Sequence, residues 1–138
     1  MQRVWLCQLL LALSAGVLAG CMGDRDDDVA AGEQRRAIEL CRLSGRYQPE
    51  CIYAVVRNIA FDDGGRLSRA VGFCTTAPAS TRAKCYRGLG TAVTVVEPTA
   101  RKRVERCRRL VPSDYVGDCW VGVVQASPLV ASSNAGRS

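Results

Sequence analysis

The sequence predicts an all-α domain of three tandem helical hairpins, each about 33 residues long and each closed by a disulfide bond. The first observation is the spacing of six cysteines, which form three successive pairs. The first cysteines of the pairs lie 33 residues apart and the second cysteines lie 34 residues apart, as expected of an internal repeat. Apolar residues around them recur at helical spacing. Turn-forming residues separate the two cysteines of every pair. These features leave open whether the hairpins stack as a short solenoid or pack as a small bundle.

The repeat favours pairing of the cysteines within each unit over pairings that cross units. An exported chain would meet an oxidising compartment, where an even set of cysteines in a small domain is typical of a disulfide framework rather than a metal site. The predicted bridges are Cys41 with Cys51, Cys74 with Cys85, and Cys107 with Cys119.

The N-terminus predicts export. Residues 1–20 contain Arg3, an apolar run from Val4 to Val17, and then Leu18-Ala19-Gly20-Cys21. Such a run is typical of a signal peptide and is short for a bilayer crossing. The tetrapeptide at this position resembles the lipobox of bacterial lipoproteins. The resemblance covers residues 1–21 and implies cleavage before Cys21 and acylation of that cysteine, with the membrane as partner of the lipid.

Two or three acyl chains suffice for stable anchoring, whereas one chain does not. Met22 follows the cysteine, and by resemblance to enterobacterial sorting this favours the outer membrane over the inner one. Residues 21–32 then predict a lipidated end with a solvated acidic tether. The alternative is a plain signal peptide followed by an incidental cysteine.

Residues 33–127 hold the three units, with boundaries at 33–64, 65–97 and 98–127. The first helix of each unit is expected roughly over Gln34 to Arg42, Leu67 to Thr75, and Arg101 to Leu110. Each second helix begins near the second cysteine, and these helices end around Ala60, Val95 and Ser127, the last because Pro128 follows. Residues 128–138 are predicted to be a disordered tail.

In the first two units, the second cysteine and the residues four and eight positions after it define the expected core face of the second helix. They are Cys51, Val55 and Ile59 in the first unit and Cys85, Leu89 and Val93 in the second. Small residues lie beside this face, and glycine inside a helix costs about 1 kcal/mol relative to alanine. Gly88, Gly90 and Gly122 therefore predict that a neighbouring helix approaches closely at these positions.

Composition narrows the possible chemistry. The chain has no histidine, which excludes Ser-His-Asp triads and His-ligated zinc sites. The cysteine spacing does not fit C-x-x-C metal motifs, and no cofactor is expected. Residues 33–127 contain sixteen basic and nine acidic residues, a net charge of +7. The basic residues are mostly arginine, and an exported protein would rarely meet nucleic acid, so that ligand is not expected.

Four groups of residues are candidates for function. The densest charge is a basic patch of Arg101, Lys102, Arg106, Arg108 and Arg109, which is either a solvated helix face, partly paired with Glu105, or a site for an anionic partner. Ser80 or Thr81 with Lys84 offers a hydroxyl beside an amine, and Asp62 with Asp63 offers paired carboxylates. Both also fit ordinary helix and loop positions. The rings of Tyr53, Tyr86 and Trp120 follow second cysteines and predict packing rather than an exposed binding stripe.

The sequence therefore favours a membrane-anchored lipoprotein that acts as a non-enzymatic binding or structural module of the bacterial cell envelope. The expected partner is another envelope protein or an anionic surface. Two alternatives remain: a secreted or surface-presented effector or inhibitor, and an envelope enzyme with a carboxylate or Ser-Lys site.

Overall fold

The structure, a computed structural model, describes the backbone of residues 24–134 and the side chains of residues 31–127. Within this part of the chain it is all-helical, as predicted. Short 3₁₀ turns at Gly45–Tyr47 and Ser113–Tyr115 lie inside the first and third hairpins. The helices are α1 (Asp24–Arg42), α2 (Gln48–Asp62), α3 (Ser68–Thr76), α4 (Ala79–Val96), α5 (Ala100–Leu110) and α6 (Val116–Asn134). No helix in the described residues is both long enough and apolar enough to cross a membrane.

Three disulfide bonds staple consecutive helices, and all three follow the predicted pairing. Cys41 and Cys51 join α1 to α2, with their Cα atoms 5.4 Å apart. Cys74–Cys85 joins α3 to α4, and Cys107–Cys119 joins α5 to α6, with Cα separations of 5.5 and 5.9 Å. These distances lie within the normal range for a disulfide. Three disulfide-stapled helical hairpins are thus confirmed.

Helix α4 is the centre of the domain. Ten of its eighteen residues are buried, and its most extensive contacts are with α6 and α2. The core around it includes Ile52 and Val56 of α2, Phe73 of α3, and Leu89 and Val93 of α4 itself. The hairpins therefore pack together through the second helix of the middle unit.

The predicted core face is right for α4 and off by one residue for α2. Cys85, Leu89 and Val93 are buried, whereas Cys51, Val55 and Ile59 are half-buried at the edge of the core. In α2 the fully buried positions are instead Ile52, Val56 and Ala60. Val56 is buried because its side chain packs against Gly88, which has no side chain. A Cβ added at Gly88 would come within 2.6 Å of Val56 Cγ1. One residue corresponds to a rotation of about 100° around a helix.

The glycines mark close helix contacts, as the sequence predicts. A Cβ at Gly90 would clash with the carbonyl oxygen of Cys119, and one at Gly122 would clash with the carbonyl oxygen of Arg87. These two glycines belong to α4 and α6, so each helix presses a glycine against the backbone of the other. Their cost in helix propensity is offset by this contact.

Two helix ends differ from the prediction. Helix α1 begins at Asp24, inside the stretch predicted to be a tether. Four of the five residues Asp24 to Asp28 are aspartate, and acidic residues stabilise a helix N-terminus through the helix dipole. Helix α6 continues past Pro128 to Asn134, into the predicted disordered tail. A proline inside a helix removes one backbone hydrogen bond and bends the helix without necessarily ending it.

The signal peptide, Cys21 and residues 135–138 lie outside the described residues. The chain divides into two units, residues 1–33 and residues 34–138. The second unit contains all three disulfides and the core. In the first unit, residues from Asp24 onward are helical.

Candidate binding surface on helices α5 and α6

Helix α5 is anchored at its N-terminus and along one side. The side chain of Thr99 caps it by accepting a hydrogen bond of 3.4 Å from the backbone N–H of Lys102. Arg103 points inward and donates to the carbonyl oxygens of Glu97 (2.7 Å) and Thr94 (3.3 Å) and to the hydroxyl of Ser127 (3.4 Å). Cys107 is fully buried on the same side. These contacts determine which face of α5 is presented to solvent.

The structure divides the predicted basic patch into paired and unpaired members. Arg106 lies 3.6 Å from Glu97 and is half-buried, and Arg109 lies 3.7 Å from Glu105 across one helical turn. Arg101, Lys102 and Arg108 are exposed and form no ion pair with any residue that the structure describes. The side-chain ladder expected on this helix is therefore present at Glu105 and Arg109 only. The other three cations remain on the solvent side of α5.

An apolar cleft of about 360 Å³ opens beside this face, between α5 and α6. Val104 and Arg108 line it from α5, and Val116, Gly117 and Trp120 line it from α6, with Cys107 at its base. Its volume lies at the lower end of the range for small ligand pockets. The unpaired guanidinium of Arg108 stands at the edge of an otherwise apolar surface.

A stripe of exposed or half-exposed apolar residues extends this cleft along α6. Gly117, Trp120, Val121 and Val124 follow the spacing i, i+3, i+4, i+7, which places them on one face. Val121 is 38% exposed and Val124 is 52% exposed, so this face has no partner among the described residues. The opposite face, with Cys119, Val123 and Ala126, is buried.

The three predicted packing rings lie in different environments. Tyr86 is buried, and its ring stacks on that of Tyr115 with centroids 4.8 Å apart. Tyr53 is half-buried and its hydroxyl lies 3.0 Å from the hydroxyl of Thr91. Trp120 is also half-buried, but it lines the cleft. The prediction of packing thus holds for Tyr86, and Trp120 packs against the core on one side while it lines the cleft on the other.

The remaining candidate groups are engaged in structural contacts. The Thr81 hydroxyl is buried and donates to the carbonyl oxygen of Pro78 at 2.9 Å, and Lys84 Nζ lies 3.3 Å from Glu50. Ser80 is exposed. Asp62 is exposed and Asp63 is buried, where Asp63 accepts a hydrogen bond from the Ser68 hydroxyl at 3.3 Å. The structure does not bring either pair together as a shared reactive centre.

Sequence reasoning identified the cations of this surface and missed its apolar part. Val121 and Val124 were not among the predicted site residues, although the i, i+3, i+4, i+7 pattern on α6 indicated them. Helix α6 is apolar on nearly every side in this region, so the pattern alone did not indicate which side faces α4. The packing of Gly122 against α4 settles that orientation.

The fold and this surface define a class of protein: a disulfide-stapled domain of three helical hairpins that exposes an apolar groove beside a basic helix face. Comparison of the chain with protein-family models, with curated proteins and with solved structures found no match.

Proposed function

We propose that the protein is an exported lipoprotein, anchored to the cell envelope through Cys21, and that its helical domain is a non-enzymatic module that binds an anionic partner. The observation that carries the proposal is the exposed face of α5, where Arg101, Lys102 and Arg108 have no ion pair among the described residues. Disulfides persist in oxidising compartments, which supports export. The lipobox-like Leu18-Ala19-Gly20-Cys21 supports the anchor.

The rigidity of this face supports a binding role. The Cys107–Cys119 disulfide joins α5 to α6, and Arg103 ties α5 to the end of α4 through two carbonyl oxygens. The backbone of α5 therefore does not need to become ordered when its exposed cations attract an anionic surface. Attraction of this kind weakens as the salt concentration rises.

The anchor is tested by detergent-phase partitioning and palmitate labelling of the full chain expressed in a bacterium. We expect the wild-type protein to incorporate label and enter the detergent phase, and Cys21→Ser to do neither. Equal behaviour of the two proteins would contradict acylation at Cys21.

Anionic binding is tested with residues 22–138, which contain all three disulfides and the core but lack the proposed acyl chains of Cys21, and with two matched double variants of the same residues. Arg101→Glu/Arg108→Glu reverses the exposed charges of α5, and Arg35→Glu/Arg36→Glu makes the same change in net charge on the exposed side of α1. The probes are poly-glutamate and phosphatidylglycerol vesicles at low salt. We expect the α5 variant to lose at least about 10-fold in affinity, or about 1.4 kcal/mol, and the α1 variant to lose much less. If the wild-type residues 22–138 bind neither poly-glutamate nor the vesicles, the proposal is refuted.

A further inference from the structure

We infer that the groove formed by the α5–α6 cleft and the α6 stripe binds an acidic amphipathic helix of another protein. This inference rests on the proposed function and names the partner of the same surface.

The shape of the cleft favours a helix as the occupant. The cleft is concave, and half-buried Trp120 forms part of its wall together with Val104 and Val116. A concave apolar surface between two helices accommodates inserted side chains, as in helix-in-groove recognition. A flat bilayer surface would contact exposed Val121 and Val124 but would not fill the concave cleft beside Trp120. The observations therefore favour a helix over a membrane as the occupant.

The apolar stripe of α6 and the basic edge of α5 have matching lengths. The stripe from Gly117 to Val124 covers two helical turns, about 10 Å at 1.5 Å per residue. A Cβ placed at Gly117 would meet nothing within 4 Å, so the backbone of α6 is open to close approach there. Arg101, Val104 and Arg108 follow the spacing i, i+3, i+7 on α5 and extend over the same length. The groove thus offers two tracks of matching length, one apolar and one edged with charge.

Charge selects the kind of helix. Arg101 and Arg108 are both exposed and unpaired within the described residues, and they lie one on each side of Val104 along α5. A partner helix whose apolar residues pack on Trp120, Val121 and Val124 would bring its flanking side chains to these guanidiniums. Glutamate or aspartate at those flanks would form charge-assisted hydrogen bonds with arginine, whereas lysine would be repelled.

The test uses residues 22–138, which lack the proposed acyl chains, and three synthetic peptides of equal length. The first is a helix with leucine at i, i+3, i+4 and i+7 and glutamate on both flanks. The second replaces every glutamate by lysine, and the third has the first peptide's composition in scrambled order. Trp120 is the only tryptophan after residue 20, so its fluorescence reports directly on the groove. We expect the first peptide to change Trp120 emission and to bind at least about 10-fold more tightly than the other two.

Two variants locate the binding surface. Val124→Asp places a charge on the stripe, and Leu43→Asp is its control at a side chain that is 77% exposed on the first hairpin. Circular dichroism verifies that both variants are folded. We expect Val124→Asp to weaken binding of the acidic helix at least about 10-fold and Leu43→Asp to leave it unchanged. Arg101→Glu/Arg108→Glu should reverse the preference towards the lysine peptide.

Several outcomes would overturn the inference. Equal binding of the acidic and scrambled peptides, or equal effects of Val124→Asp and Leu43→Asp, would exclude a helix in this groove. A Trp120 response to phosphatidylglycerol vesicles without one to the peptide would assign the surface to lipid. A dimer that Val124→Asp dissociates would assign it to a second copy of this chain. If poly-glutamate still binds through α5 while the helix does not, the inference fails and the proposed function stands.

Discussion

Asp63 caps the N-terminus of α3, a role that Leu67 at the capping position cannot perform. Leu67 precedes α3 with a φ of 68°, a left-handed conformation, and its side chain is apolar and fully buried. It cannot cap the helix. Asp63 Oδ2 instead accepts from the Ser68 hydroxyl at 3.3 Å and from the Arg69 backbone N–H at 3.5 Å. The C-terminal end of the first hairpin thereby caps the first helix of the second.

A comparison of the two adjacent aspartates tests this role. We expect Asp63→Ala to lower the free energy of unfolding by about 1–2 kcal/mol, because it removes a cap and leaves two part-buried donors without this acceptor. Asp62→Ala should change it by less than about 0.5 kcal/mol, since Asp62 is exposed. Denaturant-induced unfolding measures both. Similar values for the two variants would show that Asp63 does not cap α3.

At the scale of the elements, contact between α4 and α6 depends on the absence of two side chains. Gly90 lies against the backbone of Cys119, and Gly122 lies against the backbone of Arg87. Backbone atoms cannot rotate aside as a side chain would. Any Cβ at these positions must therefore push the two helices apart.

Alanine substitutions measure the value of this contact. We expect Gly122→Ala to destabilise the protein by about 3 kcal/mol through overpacking. Gly72→Ala is the matched control, because Gly72 is inside α3 and a Cβ there would meet only Gln34 Oε1, at 3.9 Å. That control should be stabilising by about 0.5–1 kcal/mol from helix propensity. Thermal unfolding followed by circular dichroism distinguishes the two, and a neutral Gly122→Ala would contradict the close contact.

The hairpins could be predicted from the sequence because a disulfide is a covalent constraint and its period is visible in the positions of the cysteines. Helix rotation was less visible. Helix α2 carries apolar residues at both Val55 and Val56, and only the groove at Gly88 makes Val56 the deeper one. The Arg106–Glu97 ion pair was hidden for a similar reason, since Glu97 comes near Arg106 only after α4 and α5 have packed, whereas the pairing of Glu105 with Arg109 within α5 could be predicted from their spacing.

At the scale of the whole molecule, disulfides compensate for a thin core. Among the described side chains, only those of α4 are buried along much of their helix, whereas Cys107 is the only buried residue within α5. The bridges span sequence separations of 10, 11 and 12 residues. The chain-entropy model assigns loops of this size about 3 kcal/mol each, and a typical domain has a total of about 5–15 kcal/mol.

Removal of single bridges by paired alanine substitutions separates loop closure from packing. Loop closure predicts nearly equal losses, about 3 kcal/mol for each bridge. Cys74 and Cys85 are both fully buried, whereas Cys51 is half-buried, so we expect Cys74→Ala/Cys85→Ala to be more destabilising than Cys41→Ala/Cys51→Ala. Urea unfolding of the processed protein measures the difference. A larger loss at the first bridge would show that packing around the sulfur atoms does not decide the ranking.

The short distance in sequence between Gly88 and Gly90 has a consequence for how this domain can change. Gly88 receives α2 and Gly90 receives α6, and two residues correspond to a turn of about 200° around the axis of α4. The angle between the two outer hairpins is therefore encoded in the number of residues separating two glycines. A single residue inserted between them would rotate one outer hairpin by about 100° relative to the other. We therefore expect the domain to tolerate insertions in its loops but not between Gly88 and Gly90, because the register of α4 sets the angle between the outer hairpins.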